Sequence, residues 1–222
     1  SESLRIYMFI YGDAHFKVAD LLGCLGTLLL KTGNLEDAKS QYKKQAGVIE
    51  NVFGKNHIRY VKALMDLMNV FIEGNNAQVA ALHLENAWGL LMQCPHKGNT
   101  LKGFIRYNMG MACIMLQSYG NAINGFEEAI EILEEACTKD YHALAPMYNI
   151  LGQMYEKNDK SKKAIVCYEN ALRIRRFTAK GDDIAVGLYM NNLGSALKST
   201  GKMKEALQKY QEALEMGKRT LE

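Results

Sequence analysis

Histidines, cysteines and clustered carboxylates are the side chains of this 222-residue chain best able to hold a metal or react with a substrate. His83, Cys94 and His96 come closest to a zinc set, but their spacing matches no tetrahedral ligand pattern and no fourth ligand lies nearby. His15, His57 and His142 stand apart from them. Glu127, Glu128, Glu131, Glu134 and Glu135 could be read as acid/base carboxylates. Their i, i+3 and i+4 spacing instead marks the solvated face of one helix. The glycines do not cluster into a phosphate loop or a dinucleotide fingerprint. No catalytic residue, cofactor or metal is therefore expected, and the chain does not read as an enzyme. The remaining chemistry is that of recognition. The amides of Asn69, Asn149, Gln153, Asn191 and Asn192 each carry a donor and an acceptor, the pair needed to clamp the backbone of an extended peptide. Phe104, Tyr107 and Met111, with Met65 and Met115, are adaptable anchors for an apolar side chain. Lys157 and Lys198 would supply cations.

Such residues need rigid elements to hold them, and the chain announces those elements by its period. Ala38, Ala80, Ala122, Ala164 and Ala206 stand 42 residues apart. Twelve positions before them lie Gly26, Met68, Gly110, Gly152 and Gly194; four after come Tyr42, Leu84, Phe126, Tyr168 and Tyr210. Seven after come Gln45, Ala87, Ala129, Ala171 and Ala213. A fixed period without insertion predicts an array of identical supersecondary units. In each unit two helices must cross closely, with Gly on the first and Ala on the second. The ring one turn beyond the alanine fills the space those small residues leave. Met68 predicts a wider crossing in the second unit, and Gln45 predicts a packing weakness in the first.

The string Leu151-Gly152-Gln153-Met154-Tyr155, followed by Ala164, Tyr168 and Ala171, resembles the tetratricopeptide repeat. That unit usually has about 34 residues; eight more make this one similar to the long units of the kinesin light chain and nephrocystin type. Met190-Asn191-Asn192-Leu193 resembles that family's Leu-Asn-Asn-Leu, and Ala171-Leu172-Arg173-Ile174-Arg175 its Ala-Leu-x-Ile-Arg. Gly12-Asp13-Ala14-His15 and Gly54-Lys55-Asn56-His57 resemble its Gly-x-x-His connector, with Phe16 and Ile58 where the family has Pro. The resemblance implies an all-α, right-handed superhelical solenoid of antiparallel helix pairs. Units are expected at about 12–53, 54–95, 96–137, 138–179 and 180–222. Residues 1–11 are read as the end of a truncated preceding repeat, and the whole as a single domain cut from a longer protein.

The same resemblance implies which positions face the groove: six, three and two before each Gly, and one, four and five after it. In the first unit these are Asp20, Gly23, Cys24, Thr27, Leu30 and Lys31, and in the second Lys62, Met65, Asp66, Asn69, Ile72 and Glu73. Later units place Phe104, Tyr107, Asn108, Met111, Asn149, Gln153, Lys157, Asn191, Asn192 and Lys198 on that face. The family's Asn-Asn pair clamps a peptide backbone, which points the same way. The expected function is reversible capture of an extended partner segment, as adaptor or scaffold. Alternatives are a regulatory array holding an internal segment of its parent protein, and self-association through uncapped ends.

Charge and cysteine usage sharpen the expectation. Net charge is +3, yet residues 157–222 carry fourteen Lys and Arg against eight Asp and Glu. An acidic peptide suits that field, whereas no base-reading pairs recur per unit as RNA recognition would need. No apolar run is long enough to span a bilayer. Cys24, Cys94, Cys113, Cys137 and Cys167 are odd in number and never in a C-x-x-C pair. They read as buried thiols of a protein in a reducing, cytoplasmic compartment. Only two prolines interrupt the chain, Pro146 at a helix start and Pro95 in a connector.

Overall fold

A computed structural model describes residues 2–94, 98–136, 141–179 and 183–221. Pro95, His96 and Cys137 lie outside the described residues. Among those described there are helices and no strand. The first is α1 (Glu2–Tyr11). The pairs that follow are α2 (Phe16–Lys31) with α3 (Leu35–Phe53), α4 (Ile58–Glu73) with α5 (Ala77–Gln93), and α6 (Asn99–Met115) with α7 (Tyr119–Ala136). A short 3-10 turn, Tyr141–Ala143, leads into α8 (Leu144–Lys157) and α9 (Ser161–Thr178), and then come α10 (Ile184–Ser199) and α11 (Met203–Leu221). Each 42-residue window thus holds two helices. The chain forms two compact units, Ser1–Ser118 and Tyr119–Glu222.

The turns explain why every first helix stops where it does. Gly33, Asn75, Gln117, Asp159 and Gly201, again 42 apart, all have left-handed backbone, with φ between 55° and 81°. The next residue donates its N–H to a carbonyl five positions back: Asn34 to Leu29, Asn76 to Phe71, Ser118 to Cys113, Lys160 to Tyr155 and Lys202 to Leu197, at 2.8–3.0 Å. This is the six-to-one bond of a Schellman ending, which satisfies helix-terminal carbonyls and requires a residue that tolerates positive φ. Gly, Asn and Asp do so cheaply; Gln117 does not. Three first-helix starts are capped on the same period. His15 and His57 accept from the backbone N–H of Lys17 and Arg59 through Nδ1, each at 3.2 Å. Asp183 accepts from Ala185 at 2.8 Å. The histidine of the Gly-x-x-His connector is therefore a helix cap.

Within the first unit, α2 packs on α3, α3 on α4, α4 on α5 and α5 on α6, and the first helices α2, α4 and α6 also touch in series. In the second, α7 to α11 pack successively and α8 touches α10. All five periodic alanines are buried. At three crossings the glycine lies directly under the ring. A Cβ built on Gly26 would stand 2.7 Å from Cε1 of Tyr42, one on Gly152 2.6 Å from Tyr168, and one on Gly194 2.8 Å from Tyr210. In the second repeat the exchange is reciprocal, since Met68 replaces Gly and Leu84 replaces the ring, both fully buried. Apolar burial of this kind contributes about 25 cal/mol for each Å² removed from water. The first helix, α1, lies on α2 and leaves Phe9 91% exposed.

Candidate functional site

Two clefts in the first unit are built almost wholly from residues expected on the concave face. One, of about 480 Å³, is lined by Thr27, Leu30 and Lys31 of α2, Asn69, Ile72 and Glu73 of α4, and Tyr107, Asn108 and Met111 of α6. Every one of these stands at a position that the repeat register leads one to expect inward. The Asn108 amide donates to the Asn69 carbonyl at 3.4 Å, tying α6 to α4 at the cleft wall. Lys31 and Glu73 put opposite charges on its rim. Phe104, expected beside them, packs against the hydrophobic core, and Met65 is buried in that core. Neither lines the cleft.

The second cleft, of about 600 Å³, lies one step toward the start of the chain. Its walls are Asp20, Gly23, Cys24 and Thr27 of α2, Gln45 and Ile49 of α3, and Arg59, Lys62 and Asp66 of α4. Gln45 is buried, 9% exposed, and lies flat against Gly23, where a Cβ would meet its Nε2 at 2.7 Å. Gly23 supplies the room for Gln45 and the amide donates to Asp66 at 3.2 Å, while its Oε1 is buried without a hydrogen-bond partner. Burial holds the Asp66 carboxyl above its ordinary range; the Gln45 bond and the nearby Lys62 charge counter this only in part. Cys24 is exposed, contrary to the expectation of a buried thiol, because it lines this cleft rather than a helix crossing.

In the second unit, Asn192 donates to the carbonyl of Asn149 at 2.8 Å, joining α10 to α8. Asn149 is only 6% exposed. It braces the wall, while Asn191 and Lys198 stand in solvent and Gln153 is half-buried. The Lys157 ammonium lies 5.1 Å from the centre of the Tyr119 ring, a cation–π distance. The repeat rings reach toward these inward positions through their hydroxyls. Tyr42 shares a 3.0 Å hydrogen bond with Thr27, and Tyr168 donates to Glu156 at 2.6 Å. Tyr155 likewise donates to Glu127, and Tyr148 to Glu134 at 2.8 Å. Burial, first, and these carboxylates, second, push the Tyr148, Tyr155 and Tyr168 phenols above the ordinary range. Burial also pushes the Cys167 thiol up to about 12, so it is an inert packing group. Cys24, Cys94, Cys113 and Cys167 are free thiols; Cys94 donates to the Asn56 carbonyl, and His83 stacks on Phe71.

The geometry is that of stacked helical hairpins presenting side chains from their first helices, and the comparisons agree. The tetratricopeptide repeat model matches residues 103–176 and 143–219, more than half of the chain. The chain belongs to the tetratricopeptide repeat family. It is similar in fold to BtubC (BKLC) from P. vanneervenii, with a TM-score of 0.82 at 19% identity, over 99% of this chain and 87% of that one. The nearly identical TPR-like repeats of a Podosopora anserina protein described as a kinesin light chain give 0.71 at 13% identity, over 93% and 98%. MamA from Desulfovibrio magneticus RS-1 gives 0.62 at 17% identity, over 90% and 96%. No curated protein matches the sequence. The repeat resemblance read from the sequence is thus matched by solved TPR-like repeat folds, and the fold class is all-α tetratricopeptide solenoid. No described helix is long and apolar enough to cross a membrane.

Proposed function

We propose that this chain captures an extended segment of a partner protein on the inward faces of its first helices, as an adaptor or scaffold. Tetratricopeptide repeats are protein-interaction units, and the fold is a non-catalytic one. The observation that carries the reading is the cleft formed by α2, α4 and α6. There an amide pair, Asn69 and Asn108, borders the half-buried Tyr107 and Met111. Amides can meet a peptide backbone while the ring and thioether receive an apolar side chain. In the second unit the exposed Asn191 and Lys198, with Gln153 and Lys157, offer the same chemistry with added positive charge. That charge suits an acidic stretch of the partner. Free, widely separated cysteines suit a reducing compartment such as the cytoplasm.

A proteome-wide peptide display selection on the whole chain tests the reading, with the enriched peptides retested by calorimetry. Asn149 is a poor choice for substitution because it is buried. Asn69→Ala with Tyr107→Ala, and separately Asn191→Ala, change the presented surface. A shared short motif that loses about tenfold or more in affinity in one of these variants is the expected result. Unchanged binding in both variants would show that the inward faces are not the site.

A further inference from the structure

The cleft between α2, α3 and α4 departs from the repeat in a way that packing alone does not require. Position 45 holds Ala in the other four repeats, and in three of them, at Ala87, Ala129 and Ala171, it is a small, fully buried spacer. Here Gln45 brings an amide into that space, and Gly23 gives up its side chain to admit it. A buried polar group replacing an apolar one costs stability unless every polar atom is met. Gln45 is not fully met: its Nε2 donates to Asp66, but its Oε1 is buried without a partner. Local violations of this kind gather at functional sites.

We propose that this cleft is a receptor for one basic side chain, arginine foremost, carried by the bound partner segment. The one buried atom of this cleft left unmet among the described residues, Gln45 Oε1, is an acceptor. Asp66 presents a carboxylate with one hydrogen-bonded neighbour, and the Gln45 carbonyl accepts and cannot donate. A ligand that satisfies them must bring N–H donors, and positive charge suits Asp66. A guanidinium brings five donors in a planar fork, matching a carboxylate beside an amide carbonyl. The existing cations do not fill this role. Arg59 pairs with Asp20 at 3.6 Å and lies over the Phe16 and Phe53 rings at 5.3 and 5.6 Å. Lys62 is exposed one turn before Asp66. Thr27 is committed to the Gly23 carbonyl and the Tyr42 hydroxyl. An acidic side chain would meet Asp66 and Asp20 and would have Lys62 as its main attraction. The cleft volume, about 600 Å³, admits a whole arginine side chain.

The proposal rests on the peptide-capture reading for its biological meaning, but its chemistry is tested without a peptide. The whole isotope-labelled chain is titrated with N-acetyl-arginine amide, N-acetyl-lysine amide and N-acetyl-glutamate amide. The readouts are the Gln45 side-chain amide resonances and the Asp66 carboxyl carbon. The arginine amide is expected to shift the Gln45 signals saturably and to lower the Asp66 titration midpoint, with the glutamate amide inert. Asp66→Asn keeps a hydrogen-bonding group of the same shape and is expected to weaken arginine binding about tenfold or more. Gln45→Ala restores the repeat's usual residue and is expected to weaken it by a similar factor. Tyr107→Ala should leave this titration unchanged, which separates it from the test of peptide capture. A saturable shift with the glutamate amide, no saturable shift with arginine, or equal binding by Asp66→Asn would overturn the assignment.

Discussion

Replacing Gly152 by alanine should destabilise the second unit, although alanine is the better helix former. The added Cβ would stand 2.6 Å from Cε1 of Tyr168 and 2.9 Å from both Cδ1 and Cζ, well inside van der Waals contact. The ring cannot step aside, since Tyr168 is fully buried and its hydroxyl is held by Glu156 at 2.6 Å. Overpacking of a close-packed core costs about 1–3 kcal/mol, and a rigid ring with no exit belongs at the upper end. Removing a glycine from a helix interior returns about 1 kcal/mol, which leaves a net loss of about 1–2 kcal/mol. Gly194→Ala is the internal control. Its ring, Tyr210, is half-exposed and slightly farther away, at 2.8 Å, so the two terms should nearly cancel. The second repeat supplies the remedy, because Met68 and Leu84 occupy the equivalent positions without exposure. Gly152→Met or Tyr168→Leu alone should each cost stability, by clash and by cavity. The double variant should recover at least about 1 kcal/mol relative to their sum. Repeat arrays need not unfold in one step, so denaturant midpoints should be read beside amide exchange in α8 and α9. A Gly152→Ala protein as stable as the parent, or a strictly additive double variant, would refute the crossing argument.

Three further outcomes follow from the same geometry. Gln117→Gly relieves a left-handed residue with φ 57° and should raise stability by about 0.5–1 kcal/mol; a fall in the denaturation midpoint would show that the Gln117 side chain matters more than its backbone. Asp183→Ala removes both the α10 cap and a 2.6 Å ion pair with Arg175. It should cost about 2 kcal/mol, of which salt screens only the ion-pair share, and a denaturation series at low and high salt separates the two. Asp66 is the third. Its folded carboxyl is raised by burial, so the neutral form carries the stability, which is lost as pH climbs from the ordinary value of 3.8 through the raised one. Lys62, Gln45, Tyr42, Asp20 and Arg59 are the polar and charged groups around it. Asp66→Asn should therefore raise the midpoint at neutral pH and leave it unchanged below pH 3.8. A variant less stable than the parent at neutral pH would mean that the carboxylate is well compensated.

The period made the fold legible because each repeated position has one packing job. Ala164 is buried against its crossing, Gly152 admits Tyr168, and Asp159 turns the chain, and each job demands a residue type that shows in one sequence. Two details of the same turns were less visible. His15 and His57 were evident as connector residues but not as caps, because histidine caps less often than Asp, which holds the register at Asp183. Gln117 gave no signal, since nothing in glutamine announces a positive φ.

The 42-residue register told in part which side chains share a cleft but not how deeply each is buried, and the reason is the neighbouring repeat. The position three before the crossing is Gly23, Met65, Tyr107, Asn149 and Asn191 in turn, and its exposure depends on what covers it. Gly23 is covered by Gln45 and Asn149 by Asn192 of α10, whereas Asn191 stands exposed among the described residues. A single sequence reports the residue at such a position, whereas its availability is set one repeat away. Gln45 shows what that coupling can conceal. Taken alone, a glutamine in place of the spacer alanine reads as a packing fault. Beside Gly23 in the same repeat and Asp66 in the next, it becomes one wall of a cleft in which its own Oε1 is left without a donor. In a repeat array the consensus positions hold the hairpins together and are common to every copy. Selectivity therefore has to reside in the departures from it and in the variable positions, and here the departure at position 45 is answered by Gly23 across a single helix crossing.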